Sequence, residues 1–95
     1  MESSNISGEH ASLLLSAVQS DWEQDLLFSA WLGAEGERVC DNARTLLAAS
    51  QAGALLQTLA GASVLEYCGQ AWLELHSESF ECAVAFQAVI DGQAA

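Results

Sequence analysis

The chain has 95 residues, is 52% hydrophobic and carries a formal net charge of −11, with thirteen acids against two basic residues, Arg38 and Arg44. That length makes a single small domain. Two arginines cannot form the cationic patch that a nucleic-acid backbone or an anionic membrane surface needs, whereas a basic or weakly charged protein partner fits. The apolar content is more than a monomer this small hides easily, so it reads either as a tight Ala-rich bundle or as a buried partner interface. Cys40, Cys68 and Cys82 are odd in number and have no CxxC spacing. They argue against a disulfide framework or a zinc knuckle and for small core residues in a reducing compartment. MESSNISGEH has neither a basic nor an apolar leader region, and the apolar runs are too short for a membrane span, so a cytoplasmic protein is expected.

Residues 1–8 read as a flexible, polar lead-in and 9–92 as one helical domain. A first helix is expected over 9–19, with Leu13, Leu14 and Val18 on one side. Ser20, with Glu23 three residues on, then makes a capping box for a second helix. This helix ends in the apolar run Leu27-Phe28-Ser29-Ala30-Trp31-Leu32 and is stopped by Gly33 and Gly36. Apolar on every side, its second half is expected to form the middle layer of the stack. A third helix follows from 36 or 37 to 50, with Val39, Cys40, Ala43, Leu46 and Leu47 on one face. A fourth covers 52–59 and ends at Gly61. Ser63 and Glu66 offer a second capping box for a fifth over 64–76, striped by Leu65, Cys68, Trp72 and Leu75. A sixth runs from 78 or 79 to 90, followed by a frayed tail. No stretch alternates with period two, and there is no proline. The fold class is therefore all-α, about six short helices stacked as antiparallel hairpins.

Chemistry-bearing patterns are sparse. His10 sits at the start of the helical region and His76 at a helix end, where a protonated imidazole suits the dipole. No nucleophile elbow, phosphate loop or dinucleotide fingerprint is present. The acids Glu35 and Glu37 read as solvated turn residues. No cofactor, metal or catalytic residue is expected, and the chain reads as a non-enzyme. The sharper signal is three tryptophans, Trp22, Trp31 and Trp72. They read as two core residues and one that faces a partner.

The last helical pair places Tyr67, Ala71, Phe80 and Ala83 where a tetratricopeptide (TPR) repeat has its aromatic and small residues, while Gln70, Glu74, Gln87 and Ile90 depart from that pattern. Trp31-Leu32, then Gly36-Glu37, Arg44 and the run Trp72-Leu73-Glu74-Leu75 resemble the small TPR-like chaperones of bacterial type III secretion, the YscG-like family. The likeness spans residues 26–90. It implies a cytosolic chaperone that works with a second small chaperone and grips the amphipathic C-terminal helix of a needle subunit, blocking premature polymerisation. On this chain the resemblance assigns the partner-binding groove to Val39, Ala43, Leu47, Leu65, Cys68, Trp72 and Leu75. Two other readings stand beside it. One is an acidic helical adaptor for some other protein. The other is a DNA mimic, which the absence of acids from Asn42 to Ser63 disfavours.

Overall fold

Two long helices joined by a short turn organise the chain. The computed structural model describes residues 6–94. It contains α1 (Ile6–Asp25), α2 (Ala30–Ala52), α3 (Leu55–Leu59), α4 (Val64–Cys68), α5 (Gln70–Leu73) and α6 (Ser77–Ala94), with no strand among the described residues. The helices α1 and α2 run antiparallel: the Ser7 and Ser50 hydroxyls meet at 3.1 Å at one end. At the other end Trp22 Nε1 donates to the Gly33 carbonyl at 2.8 Å. The helix α6 lies antiparallel along α1. Its early Ser79 donates to Asp21 Oδ2 at 2.7 Å, and its late Ile90 and Gln93 share a shallow hollow with Ser7. The short helices α3 to α5 return the chain across α2. Between the layers lie Leu14 and Val18 of α1, Val39, Ala43 and Leu46 of α2, and Val64, Cys68, Trp72 and Phe86.

The all-α architecture is the one the sequence indicates, but several boundaries move. Helix α1 begins at Ile6, so residues 6–8 are helical; the rest of the expected lead-in, residues 1–5, lies outside the described residues. Ser20 caps nothing. Helix α1 passes through it because the inward positions Ala11, Leu14, Val18 and Trp22 continue at helical spacing to Asp25. The chain reverses at residues 26–29 instead. Leu27 N–H donates to the Gln24 carbonyl at 3.1 Å and Phe28 N–H to the Asp25 carbonyl at 2.9 Å. Ser29 is extended (φ −156°, ψ 123°), and its hydroxyl accepts from Leu32 N–H at 3.2 Å, which makes it the N-cap of α2. The run expected as a buried middle layer is thus split: Leu27 and Phe28 lie in the turn at the end of the hairpin, Ser29 caps α2, and Ala30, Trp31 and Leu32 open that helix.

Gly33 and Gly36 do not stop a helix; both lie inside α2. Their role is to let other side chains reach its backbone. A Cβ on Gly36 would fall 2.6 Å from Trp22 Cδ1 and 3.2 Å from Trp72 Nε1, and one on Gly33 would fall 3.0 Å from Leu26 Cδ2. Two indoles therefore rest on a bare strip of helix, with Trp22 donating into the Gly33 carbonyl.

The expected fifth helix splits at Gly69, whose φ of 137° belongs to glycine and whose Cβ would meet Val39 Cγ2 at 2.9 Å. Asn42 Nδ2 serves the break, donating to the Tyr67 and Cys68 carbonyls at 3.1 Å each. The Ser63–Glu66 capping box forms as the sequence indicates. Gln87 adds a cap from across the fold, accepting from Val64 N–H at 2.8 Å.

Helix propensity alone favours Ala over Gly by about 1 kcal/mol. At position 36 overpacking opposes it, typically by about 1–3 kcal/mol. Gly36→Ala is therefore expected to lower the urea midpoint. Gly92→Ala, in α6 with nothing within 4 Å of its Cβ, is expected to leave it unchanged or raise it. Equal stability of the two variants would contradict the indole packing.

Candidate protein-binding surface

Asp25 is the last residue of α1 and is 8% exposed. A carboxylate there is disfavoured twice, by burial and by the negative end of the helix dipole. Two donors compensate. Trp72 Nε1 lies 3.1 Å from Asp25 Oδ2 and shares its hydrogen with the Leu32 carbonyl at 3.2 Å. His76 Nε2 lies 2.8 Å from the same Oδ2, and both side chains of this pair are 12% exposed. The other imidazole nitrogen, Nδ1, is 2.8 Å from the Trp72 carbonyl. A carbonyl and a carboxylate only accept, so both ring nitrogens satisfy their partners only when both carry protons. The arrangement favours the charged imidazolium of His76 over the neutral ring. Burial on its own pushes its pKa down, but the Trp72 carbonyl, the Asp25 carboxylate and the nearby Asp21 outweigh it, and the net direction is up from 6.5. The ring also stacks on the Trp72 indole, with centroids 3.9 Å apart and planes 21° apart, a cation–π arrangement.

This cluster ties the end of α1, the start of α2 and the end of α5 together. Neither imidazole nitrogen is left for a substrate, and the nearby Ser79 hydroxyl is bonded to Asp21 rather than to His76. Its chemistry is that of a clamp.

The clamp sits directly beneath the turn. Immediately after Asp25 come Leu26, Leu27 and Phe28. Leu27 is 78% and Phe28 81% exposed, and Leu26 and Trp31 are each more than half exposed. These are four large exposed apolar side chains within six consecutive residues, and grouped exposed apolar surface on a monomer is often functional. Its backbone is fixed by the Ser29 cap and by the Asp25 carbonyl, which accepts from both Phe28 N–H and Ser29 N–H. Leu75, 62% exposed, lies at the same end, next to His76. Exposed apolar residues so grouped suggest a protein-binding surface.

The seven residues expected to line a groove are not brought together as one open surface. Val39, Ala43, Cys68 and Trp72 are in the core, each about 1% exposed, so none can touch a partner in this arrangement. Leu47 and Leu65 are partly buried against the same core. Only Leu75 is open. The reason is that the inward stripes of α2, α4 and α5 pack on α1 and α6, which cover the face that the groove assignment left free. Of the tryptophans, Trp72 is buried, Trp22 half-buried, and Trp31 is the exposed one. Leu27, Phe28 and Trp31 do not stand out as surface in the sequence, where Ser29 falls inside an expected helix rather than at the cap it forms. A serine three residues before Leu32 was the available cap signal.

The cysteines are unpaired. Burial pushes the Cys40 thiol up to about 11 and the Cys68 thiol up to about 12, and Cys82 also moves up, so none is primed as a nucleophile. Among the described residues no group of His, Cys, Asp and Glu is placed to hold a metal ion, and no helix is long and apolar enough to cross a membrane. Compared with protein-family models, with curated proteins and with solved structures, the chain matches none.

The pH dependence follows from the raised His76 pKa. A group whose folded pKa exceeds its unfolded value contributes stability that is complete below the unfolded value, near 6.5, and lost as pH rises through the folded one. The clamp therefore stabilises fully at about pH 6 and weakens on the alkaline side. His76→Gln is expected to cost on the order of 2 kcal/mol at pH 6 in chemical denaturation. The gap from the parent chain should narrow at pH 9. A gap that stays constant between the two pH values would show that His76 is not charged in the fold.

Proposed function

We propose that the chain is a non-catalytic helical binding protein that presents the α1–α2 turn to a protein partner. The observation that carries this reading is the exposure of Leu27 and Phe28 on a turn whose backbone N–H groups are bonded, and of Trp31 in the first turn of the helix that follows. Leaving large apolar groups in water costs on the order of 1.5–3 kcal/mol each relative to burial, and a partner that covers them recovers that energy. A rigid turn also loses little conformational freedom on binding.

In its finer form the reading is the chaperone one. The partner is the amphipathic helix of a type III secretion needle subunit, held together with a second small chaperone in the cytoplasm. The likeness of Trp31-Leu32, Gly36-Glu37 and Trp72-Leu73-Glu74-Leu75 to the YscG-like family supports it. Trp31 is also exposed, in the first turn of α2 beside the α1–α2 turn. The contact surface moves from the core stripe to the turn. The wider reading, an acidic helical adaptor for a different protein, rests on the same patch without the resemblance.

Co-expression with a needle subunit and its small chaperone, followed by size-exclusion chromatography, tests the finer form. A complex that elutes as a unit is expected, and Leu27→Ser with Phe28→Ser should abolish it while leaving the helical circular dichroism unchanged. Failure of the parent chain to join either protein would remove the needle-subunit reading. Assembly unaffected by the double substitution would remove the turn from the contact. Trp72→Ala is a poor probe here, because losing a buried indole costs about 3–5 kcal/mol and unfolds a small domain before any contact is tested.

A further inference from the structure

We infer that the occupant of the α1–α2 turn is a basic amphipathic helix, with apolar side chains on one face and Lys or Arg beside them. This rests on the reading of the turn as a docking surface and adds the chemistry of what docks. The argument is charge. The turn is bracketed in the chain by acids: Glu23 lies in the last turn of α1, and Glu35 and Glu37 lie in the first turns of α2. Glu23 and Glu37 are exposed. The opposite end of the hairpin carries fewer acids: its hollow is lined by Ser7, Ser50, Gly53, Leu55 and Ile90, with Glu9 and Asp91 the acids adjacent in the chain among the described residues. No acid occurs from Asn42 to Ser63. The apolar patch thus sits at the acidic end of the molecule.

Cations from within the chain offset this rim only weakly. Arg44 is bonded to Asp41 at 2.8 Å, along α2 and away from the turn. Arg38 reaches Glu35 at 3.7 Å, with its side chain 77% exposed, a weak surface pair. His76 is committed to Asp25. A second copy of the chain, at net charge −11, would bring like charges together around the patch. An anionic bilayer is repelled for the same reason. A partner with cations flanking its apolar face meets both features at once. The apolar groups supply the area, and the flanking charges supply orientation and fast association.

The test uses the full chain and three synthetic helical peptides of the same apolar face, whose polar faces are Lys, Gln or Glu. Fluorescence anisotropy of the labelled peptides reads binding, and co-sedimentation with phosphatidylcholine and phosphatidylglycerol vesicles is run alongside. The Leu/Lys peptide is expected to bind at least tenfold more tightly than the Leu/Gln peptide at low salt. The Leu/Glu peptide should not bind, and the preference should shrink as salt screens the rim. Leu27→Ser with Phe28→Ser keeps every charge, so it should abolish binding of the Leu/Lys peptide. Glu23→Gln with Glu37→Gln should reduce the preference for Lys over Gln severalfold.

Equal binding of the Lys and Gln peptides would overturn the charge inference and leave the docking surface standing. Binding of the Leu/Lys peptide undiminished by the Leu27 and Phe28 substitutions would overturn the inference as unspecific attraction to an acidic protein. No binding of any peptide would take the docking reading with it. Vesicle binding without peptide binding would assign the patch to a membrane instead.

Discussion

A single buried carboxylate oxygen holds the turn end of the α1–α2 hairpin together. Oδ2 of Asp25 accepts from the Trp72 indole and from His76, and the indole shares its hydrogen with the Leu32 carbonyl. Three helices therefore meet at one polar point inside an otherwise apolar packing. A charge in that position is unfavourable unless its partners are complete. Here they are, and the imidazolium balances the carboxylate while stacking on the indole that bonds to it. The glycine strip of α2 makes the meeting possible, since a Cβ on Gly36 would push into both Trp22 and Trp72. Aromatic burial, the glycine positions and the buried ion pair are one arrangement rather than three features.

The exposed patch follows from that arrangement. With the end of α1 anchored at Asp25 and the start of α2 capped by Ser29, the residues between them have only a tight turn available. Their apolar side chains then project outward, because the space beneath is filled by Trp22, Trp72 and His76. Burying Phe28 would require the turn to give up the bonds that its carbonyl and amide neighbours make. A folded monomer keeps Leu27, Phe28 and Trp31 in water at a cost, and contact with another protein is the physical setting in which that cost disappears. On the proposed reading, acids near the same end favour a partner with cations beside its apolar face.

Much of this was readable in the sequence, and the parts that were not have definite causes. The absence of alternation, the helical spacing of Val39, Ala43 and Leu46, and the Ser63–Glu66 box led to the right fold class and to one correct cap. Local rules failed where tertiary contacts decided the outcome. Gly33 and Gly36 have the look of helix ends, yet indoles from elsewhere in the chain give them a reason to lie inside α2. Ser20 with Glu23 and Ser29 before Leu32 are both plausible caps by local chemistry, and the inward stripe of α1 chose the second. The groove that the resemblance implies falls mostly on core residues, since helical periodicity marks a buried face without saying whether a partner or the chain itself buries it. The clamp was out of reach because Asp25 and His76 are 51 positions apart in the numbering and nothing local pairs them.

The account stands or falls on whether the α1–α2 turn is where a partner touches this protein. A photoreactive side chain placed at the turn, Phe28→p-benzoylphenylalanine, tests this most directly against the same group at Gln57, an exposed position on α3 at the other end of the hairpin. Irradiated in the source cell, the chain should form a discrete adduct with one protein from position 28 and none from position 57. An adduct from position 57 alone, or the same adduct from both, would contradict the assignment of the turn as the contact.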